Sequence, residues 1–260
     1  LVLMLRLVFH LALRQAEGFA ASLLRLLAQA LRVPDHTTLS RRSRSFAGRQ
    51  PKVVPNGPLH LVIDSTGLKL FGQGEWDEEK HGRTRRSWRK LHLAVDAATG
   101  ALVTCLLTDN AADDASQVPV LLEAIEGKIA SMTADGAYDG NPVYQAIAGH
   151  QSDPPPDVII PPRASAVLST ENTEAQNQRD RHIPLIAEKG RMAWQKATGY
   201  GRRSLAETSV GRYKAIIGPK LRACLLPAQQ GEVAMAAQVL NRHCHIVRRP
   251  GAFDRKTELA

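Results

Sequence analysis

LHLVIDSTGLKLF, residues 59–71, alternates branched apolar with polar side chains, the pattern of a strand that turns one face toward a core. After a basic segment, GQGEWDEEKHGRTRRSWRK, two more such runs follow, KLHLAVDAATG and ALVTCLLTD. DAATG between them reads as a hairpin turn, so three antiparallel strands are expected. DDASQVPVLLEAIEG then carries an acidic cap and helical spacing, and KIASMTADGAYDG a short buried strand that ends in an Asp-Gly turn. NPVYQAIAGH predicts a second helix with Pro142 near its start, and DVIIPPR a fifth strand stopped by a double proline. The order βββαβαβ, followed by helix, predicts a ribonuclease-H-like α/β fold, a mixed five-stranded sheet flanked by helices.

Upstream, residues 2–32 carry Leu, Val, Phe and Ala at helical spacing, with a break expected at Glu17-Gly18. VPDHTTLSRRSR places an N-cap cluster before a short helix beginning with Ser and Arg. The segment reads either as a small helix-turn-helix unit, with Thr37, Thr38, Ser40, Arg41, Arg42 and Arg44 toward phosphate or bases, or as a solvated basic linker. FAGRQPKVVPNGP is rich in Gly and Pro. The expected organisation is therefore a helical DNA-binding unit at 1–45, a linker at 46–58, a catalytic domain at 59–218 and a helical region with a basic tail at 219–260. Residues 163–182 read as loop or marginal helix, and helical spacing returns from Ile183 to Ala215.

A net charge of +9 and a pI near 9.8 point to a polyanionic partner. Three widely spaced cysteines, Cys105, Cys224 and Cys244, make neither a disulfide framework nor a CxxC metal site, so a reducing, cytoplasmic location is expected. The opening LVLMLRLVFHLAL is interrupted by Arg6 and His10, which predicts a core helix rather than a membrane span or signal peptide. The chain begins with Leu, not Met, and a segment upstream is expected.

Three acids stand where site acids tend to stand. Asp64 lies inside LVIDSTG and Asp135 at a strand's end, while Glu207 belongs to YGRRSLAETSVGRYK, residues 200–214. In that stretch Tyr200, Arg203, Glu207 and Lys214 sit at offsets of 0, 3, 7 and 14. On an α-helix they fall within an arc of roughly 60°. In the expected sheet the first and fourth strands lie side by side with a late helix beside them, so the three carboxylates can converge. Together they would repel one another unless neutralised, and hard oxygen ligands suit two Mg²⁺ or Mn²⁺ ions acting on a phosphodiester. No Gly-rich phosphate loop, HExxH or GxSxG offers a competing chemistry. Asp139, Asp96 and Asp109 read as turn formers, Asp113 and Asp114 as helix caps, and His243 and His245 as a solvated helix end. Lys80, His81, Arg83, Arg85, Arg86, Arg89 and Lys90 read as a track for a DNA backbone or as a solvated loop. Trp76 and Trp88 flank them, and Trp88 is expected in the core.

These residues resemble the DDE transposases of bacterial insertion sequences, in particular insertion-sequence family five within the wider four-and-five group. Members carry a tyrosine, two residues, an arginine, three residues, the catalytic glutamate, six residues and a lysine, which Tyr200, Arg203, Glu207 and Lys214 match at every spacing. VIDSTGLK and TADGAYD resemble the two aspartate blocks, WRKLHLAVDAATG the hairpin between them, and LRQAEGFAASL and VPDHTTLSRRS the N-terminal sequence. The likeness spans roughly residues 4 to 245. It implies that Asp64, Asp135 and Glu207 bind two Mg²⁺ or Mn²⁺ ions, and that Tyr200, Arg203 and Lys214 contact the DNA backbone near the cleaved end. The implied reaction is cleavage at the element's ends and transfer of the freed 3′-hydroxyls to target DNA. Its implied partners are double-stranded DNA and a second copy of the chain in the synaptic complex, with no membrane, and its members usually carry a further N-terminal stretch. Two other functions fit the same residues, a catalytically idle DNA-binding relic and a hydrolytic nuclease of the same fold.

Overall fold

The computed structural model describes residues 1–53, 55, 57–70, 88–150, 154–168 and 174–247. Three strands follow one another in antiparallel contact, β1 (Leu59–Leu70), β2 (Trp88–Asp96) and β3 (Leu102–Asp109). The β2–β3 hairpin closes on Asp96, whose carboxylate accepts from the backbone N–H of Ala98 and Thr99. Two further strands, β4 (Ile129–Thr133) and β5 (Asp157–Ile159), add in parallel on the other side of β1 and give the order β3-β2-β1-β4-β5. This is the ribonuclease-H-like arrangement expected from the strand pattern. A sixth strand was not legible: β6 (Lys220–Leu221) pairs in parallel with Lys69 and Leu70 of β1. Two residues are too few for any alternation to show.

Alternation along β1 and β2 sorts the core into two layers. Leu59, Leu61, Ile63 and Ala94 face helices α4 (Val118–Glu123) and α5 (Asn141–Ala148), packing with Leu121, Val143 and Ile147. Leu68, Leu91, Leu93 and Val95 face the opposite layer. There they meet α1 (Val2–Val8), α3 (His36–Arg44), α7 (Ser204–Ile216) and α8 (Leu226–Val247) through Leu3, Leu7, Leu39, Tyr213 and Leu240. The buried carboxylate of Glu232 on α8 accepts from the backbone N–H groups of Arg222 and Ala223 and so closes the turn between β6 and α8.

The N-terminal helices depart from the expected pattern. α2 (Leu13–Leu26) runs straight through Gly18, and the break falls earlier, at His10, whose φ is 54°. One helical glycine costs about 1 kcal/mol, which the burial of Ala16 and Ala20 offsets. α3 begins at His36 because Asp35 caps it, accepting from the N–H groups of Thr37 and Thr38. Residues 46–58 include Gln50, whose side-chain oxygen accepts from Thr104 Oγ1 and Cys105 N on β3.

Between β5 and α7 lies α6 (Glu174–Thr198), which begins within the segment expected to be loop or marginal helix and bends at Gly190. Gly199, at φ 68°, ends it in the left-handed region where a glycine is favoured. Trp88 is 36 % exposed, its ring lying over Gly67 instead of entering the core. Among the described residues no helix is long and apolar enough to cross a membrane.

Candidate active site

The parallel register of β1 and β4 pairs Val62 with Thr133, and two residues further along come Asp64, still within β1, and Asp135, just past the end of β4. Strand pairing therefore sets the two carboxylates side by side. Each is held by the backbone that follows it: Asp64 Oδ1 accepts from Ser65 N at 2.8 Å, and Asp135 Oδ1 from Ala137 N at 2.8 Å. The Oδ2 atoms of both face a common point.

That point is filled by a guanidinium. Arg203 Nη2 lies 3.8 Å from Asp64 Oδ2 and 3.6 Å from Asp135 Oδ2, while its Nη1 donates to Glu207 Oε1 at 2.6 Å. Glu207 stands in the first turn of α7, whose Ala206, Ser209 and Tyr213 are buried. The three acids thus gather around Arg203 rather than against one another. Among the described residues no three His, Cys, Asp or Glu side chains lie close enough to form a ready metal cage. Charge explains the arrangement, since three carboxylates in one cleft need a cation and the chain supplies one of its own.

Electrostatics carry the same imprint. Burial raises the Asp64 carboxyl above the usual carboxylate range. The Ser65 N–H and Arg203 pull it back, and Asp135 and Glu207 push it further up. For Arg203, burial opposes the charged form, but Asp64, Tyr200, Asp135 and Glu207 outweigh it and hold the guanidinium above its ordinary value. Its Nε is buried with no hydrogen-bond partner among the described residues.

The stripe from Tyr200 to Lys214 is not one α-helix. Tyr200–Arg203 form a 3₁₀ turn that leads into α7, and this turn touches both β1 and β4. Residues three apart eclipse one another in a 3₁₀ turn, so Tyr200 and Arg203 still share a side. Glu207 lies four residues on from Arg203 and is bonded to it, and Lys214, two turns further along the same face of α7, is half-buried there. Tyr200 is anchored from behind. Its ring packs 5.1 Å from that of Trp194, a fully buried side chain whose Nε1 donates to His182 Nδ1 at 3.0 Å. With Nδ1 accepting, His182 Nε2 carries the proton and donates to the Val158 carbonyl of β5 at 2.8 Å. Neither His182 nor Trp194 had a sequence signal, because the contact joins α6 to the sheet edge across a segment without clear periodicity.

The other expected DNA contacts are dispersed. Arg41, Arg42 and Arg44 are exposed on α3, with Arg41 Nη2 donating to Thr38 Oγ1 at 3.2 Å. Ser40 is half-buried, and the hydroxyls of Thr37 and Thr38 donate to the exposed Asp35, whose carboxyl they hold well below its ordinary value. Arg89 pairs with Asp109 and donates to Gln229 Oε1 at 3.3 Å. Lys90 Nζ donates to the Ala112 carbonyl at 2.6 Å and lies 3.3 Å from Asp114. Both charges have acidic partners within the chain, although Asp109 is 65 % exposed. Lys80, His81, Arg83, Arg85, Arg86 and Trp76 lie outside the described residues.

On the far face of the sheet from Asp64, His92 is fully buried, and burial lowers its imidazole to about 4. Its Nε2 lies 2.9 Å from Thr108 Oγ1.

One solved structure with a similar chain is a piggyBac transposase synaptic complex with hairpin DNA, at 9 % identity and a TM-score of 0.38. The match covers 73 % of this chain and 48 % of that one, so the chain spans about half the length of that transposase. Two family models, each described as a transposase DDE domain, match residues 1–73 and residues 55–242, the second taking in more than half of the chain.

Proposed function

The chain belongs to the transposase DDE domain family, and from that premise we propose that it cuts the ends of an insertion element and transfers the freed 3′-hydroxyls to target DNA. We place it in insertion-sequence family five, on the spacing of Tyr200, Arg203, Glu207 and Lys214. The observation that carries the reading is the meeting of Asp64, Asp135 and Glu207 at one positive charge.

The donor set fits divalent metal. Asp64 and Asp135 each keep one carboxylate oxygen, Oδ2, clear of the backbone bond that holds the other, and hard oxygens suit Mg²⁺ or Mn²⁺. The spot where cation charge is needed already carries the Arg203 guanidinium. A pair of such ions, when bound, supplies Lewis-acid stabilisation of the attacking and leaving oxygens. The chain's own side chains do the rest. Asp64, Asp135 and Glu207 would hold the ions, and Arg203, released from the acids, would offer its planar fork to a phosphate, which it can grip with two N–H donors. Tyr200, steadied by Trp194, and Lys214 flank that phosphate as further donors. Arg41, Arg42 and Arg44 contact the DNA backbone away from the cut. Arg89 and Lys90 receive no such role, since phosphate would have to compete with Asp109 and Asp114.

The test is incubation of the chain with a duplex carrying the element's ends, in Mg²⁺, in Mn²⁺ and in EDTA. Metal-dependent nicking followed by strand joining, lost in Asp64→Ala, Asp135→Ala and Glu207→Ala, is the expected result. DNA binding without cleavage in either metal would instead identify an idle relic. Nicked ends that never join a target would identify a nuclease.

A further inference from the structure

Asp135 is followed by a tight turn, Gly136–Tyr138, that closes on Asp139. Two arginines from elsewhere in the chain grip this turn. Arg163 Nε donates to the Gly136 carbonyl at 3.0 Å and Nη2 to the Ala137 carbonyl at 2.7 Å, while the backbone N of Arg163 donates to Asp139 Oδ2 at 2.9 Å. Arg179, on α6, holds the same carboxylate with Nε at 2.7 Å from Oδ1 and Nη2 at 3.2 Å from Oδ2. The Asp139 side chain is wholly buried, so these donors neutralise a charge that water cannot reach.

The consequence for Asp135 follows from the planarity of a single peptide. The Gly136 carbonyl and the Ala137 N–H belong to one peptide unit and point in opposite directions. With the carbonyl end tied to Arg163, the N–H end is aimed at Asp135 Oδ1, 2.8 Å away. That bond fixes the rotation of the carboxylate and leaves Oδ2 facing Arg203. Pro161 backs the turn, its carbonyl lying 3.3 Å from where a side chain on Gly136 would begin, so the peptide cannot drift toward it.

We propose that Arg163 and Arg179 are positioning residues that set the Asp135 carboxylate for cation binding through the 136–139 turn. The proposal rests on the reading of Asp135 as a metal-holding acid, and its test separates the two. Arg163 is exposed, so Arg163→Ala should leave the fold intact; Arg179→Lys keeps a charge opposite Asp139 but loses the two-pronged grip.

Amide exchange read by NMR on the full chain reports the Ala137 N–H without any metal. In Arg163→Ala and in Arg179→Lys we expect Ala137 to exchange at least about tenfold faster while the β4 amides keep their wild-type rates, as local opening of one turn requires. Arg163→Lys should recover part of the protection, because an ammonium still reaches one carbonyl. Mn²⁺ titration followed by electron paramagnetic resonance should show affinity about tenfold weaker in Arg163→Ala, since a misaimed ligand atom loses its share of the binding. Unchanged Ala137 exchange overturns the proposal, as does faster exchange with unchanged Mn²⁺ affinity. Wild-type chain that takes up no Mn²⁺ overturns the metal reading of Asp135, and the exchange arm still decides whether the two arginines position it.

Discussion

Removing Arg203 should tighten metal binding while abolishing DNA cleavage. In the DNA-free protein its guanidinium stands 3.6 and 3.8 Å from the two aspartates and is bonded to Glu207, so a metal ion has to compete with it. Unit charges about 3.7 Å apart attract by about 1 kcal/mol in water and about 4 kcal/mol at an effective dielectric constant near 20. The Asp135 and Glu207 side chains are 35 % and 59 % exposed, which places their contacts toward the aqueous limit, while for Asp64, at 16 %, the aqueous figure is a lower bound. Taking about 1 kcal/mol for each aspartate, Arg203→Ala should release about 2 kcal/mol, or roughly thirtyfold tighter binding of the first ion. Isothermal titration with Mn²⁺ at low salt, without DNA, measures it directly. Arg203→Lys should fall between the two, since its compact charge reaches fewer oxygens at once. An affinity in Arg203→Ala equal to or weaker than that of wild type would refute the competition, whatever happens to cleavage.

Other outcomes follow from individual contacts. Glu207→Gln is expected to keep DNA affinity within about twofold and lose metal-dependent cleavage, because an amide brings no charge to the cation; gel-shift and nicking assays on one preparation decide it, and wild-type cleavage would remove Glu207 from the site. Replacing Arg41, Arg42 and Arg44 together with alanine should lower the slope of log affinity against log salt by about 3, at roughly one phosphate contact each, and an unchanged slope would take α3 off the DNA. His92 titrates at about 4 in the folded chain against 6.5 unfolded, so the unfolded state binds the proton first and stability falls as pH drops from 6.5 toward 4. The loss is on the order of 3 kcal/mol by pH 4. Urea midpoints measured across that range should fall less steeply in His92→Gln, and parallel curves would refute the assignment.

Much of the fold was legible because β1, β2 and β3 are long, alternating and joined by a hairpin, so each residue's face follows from its parity. The paired aspartates were legible for the same reason, as one sits in a strand and the other just past its parallel neighbour. Spacing set Glu207 and Arg203 on one stripe, with their roles implied only by the family resemblance, and the spacing also accounts for their mutual bond, four residues apart. That Arg203 would lie among all three acids could not be read, because its reach to Asp64 and Asp135 depends on how the 3₁₀ turn sits against β1 and β4. The clamp on Asp139 spans 24 and 40 residues and leaves no periodic trace. The early break at His10 was missed because Gly18 is the residue that usually ends a helix, while His10 breaks the chain by its backbone angle. The reading of residues 163–182 as loop or marginal helix left open where α6 begins, because the contacts to β5 that stabilise this helix leave only a weak local pattern.

Leu3, Leu7 and Leu39 share one apolar layer with Leu91 and Leu93 of the sheet, and Gln50 stitches the intervening stretch to β3. α3 and the strand that bears Asp64 are thereby parts of the same solid. If the α3 arginines seize a duplex, the distance along the DNA from that grip to the phosphate offered to the acids is a length built into the protein. The chain would act as a ruler, and moving the gripped sequence by a few base pairs would shift the cut by the same number.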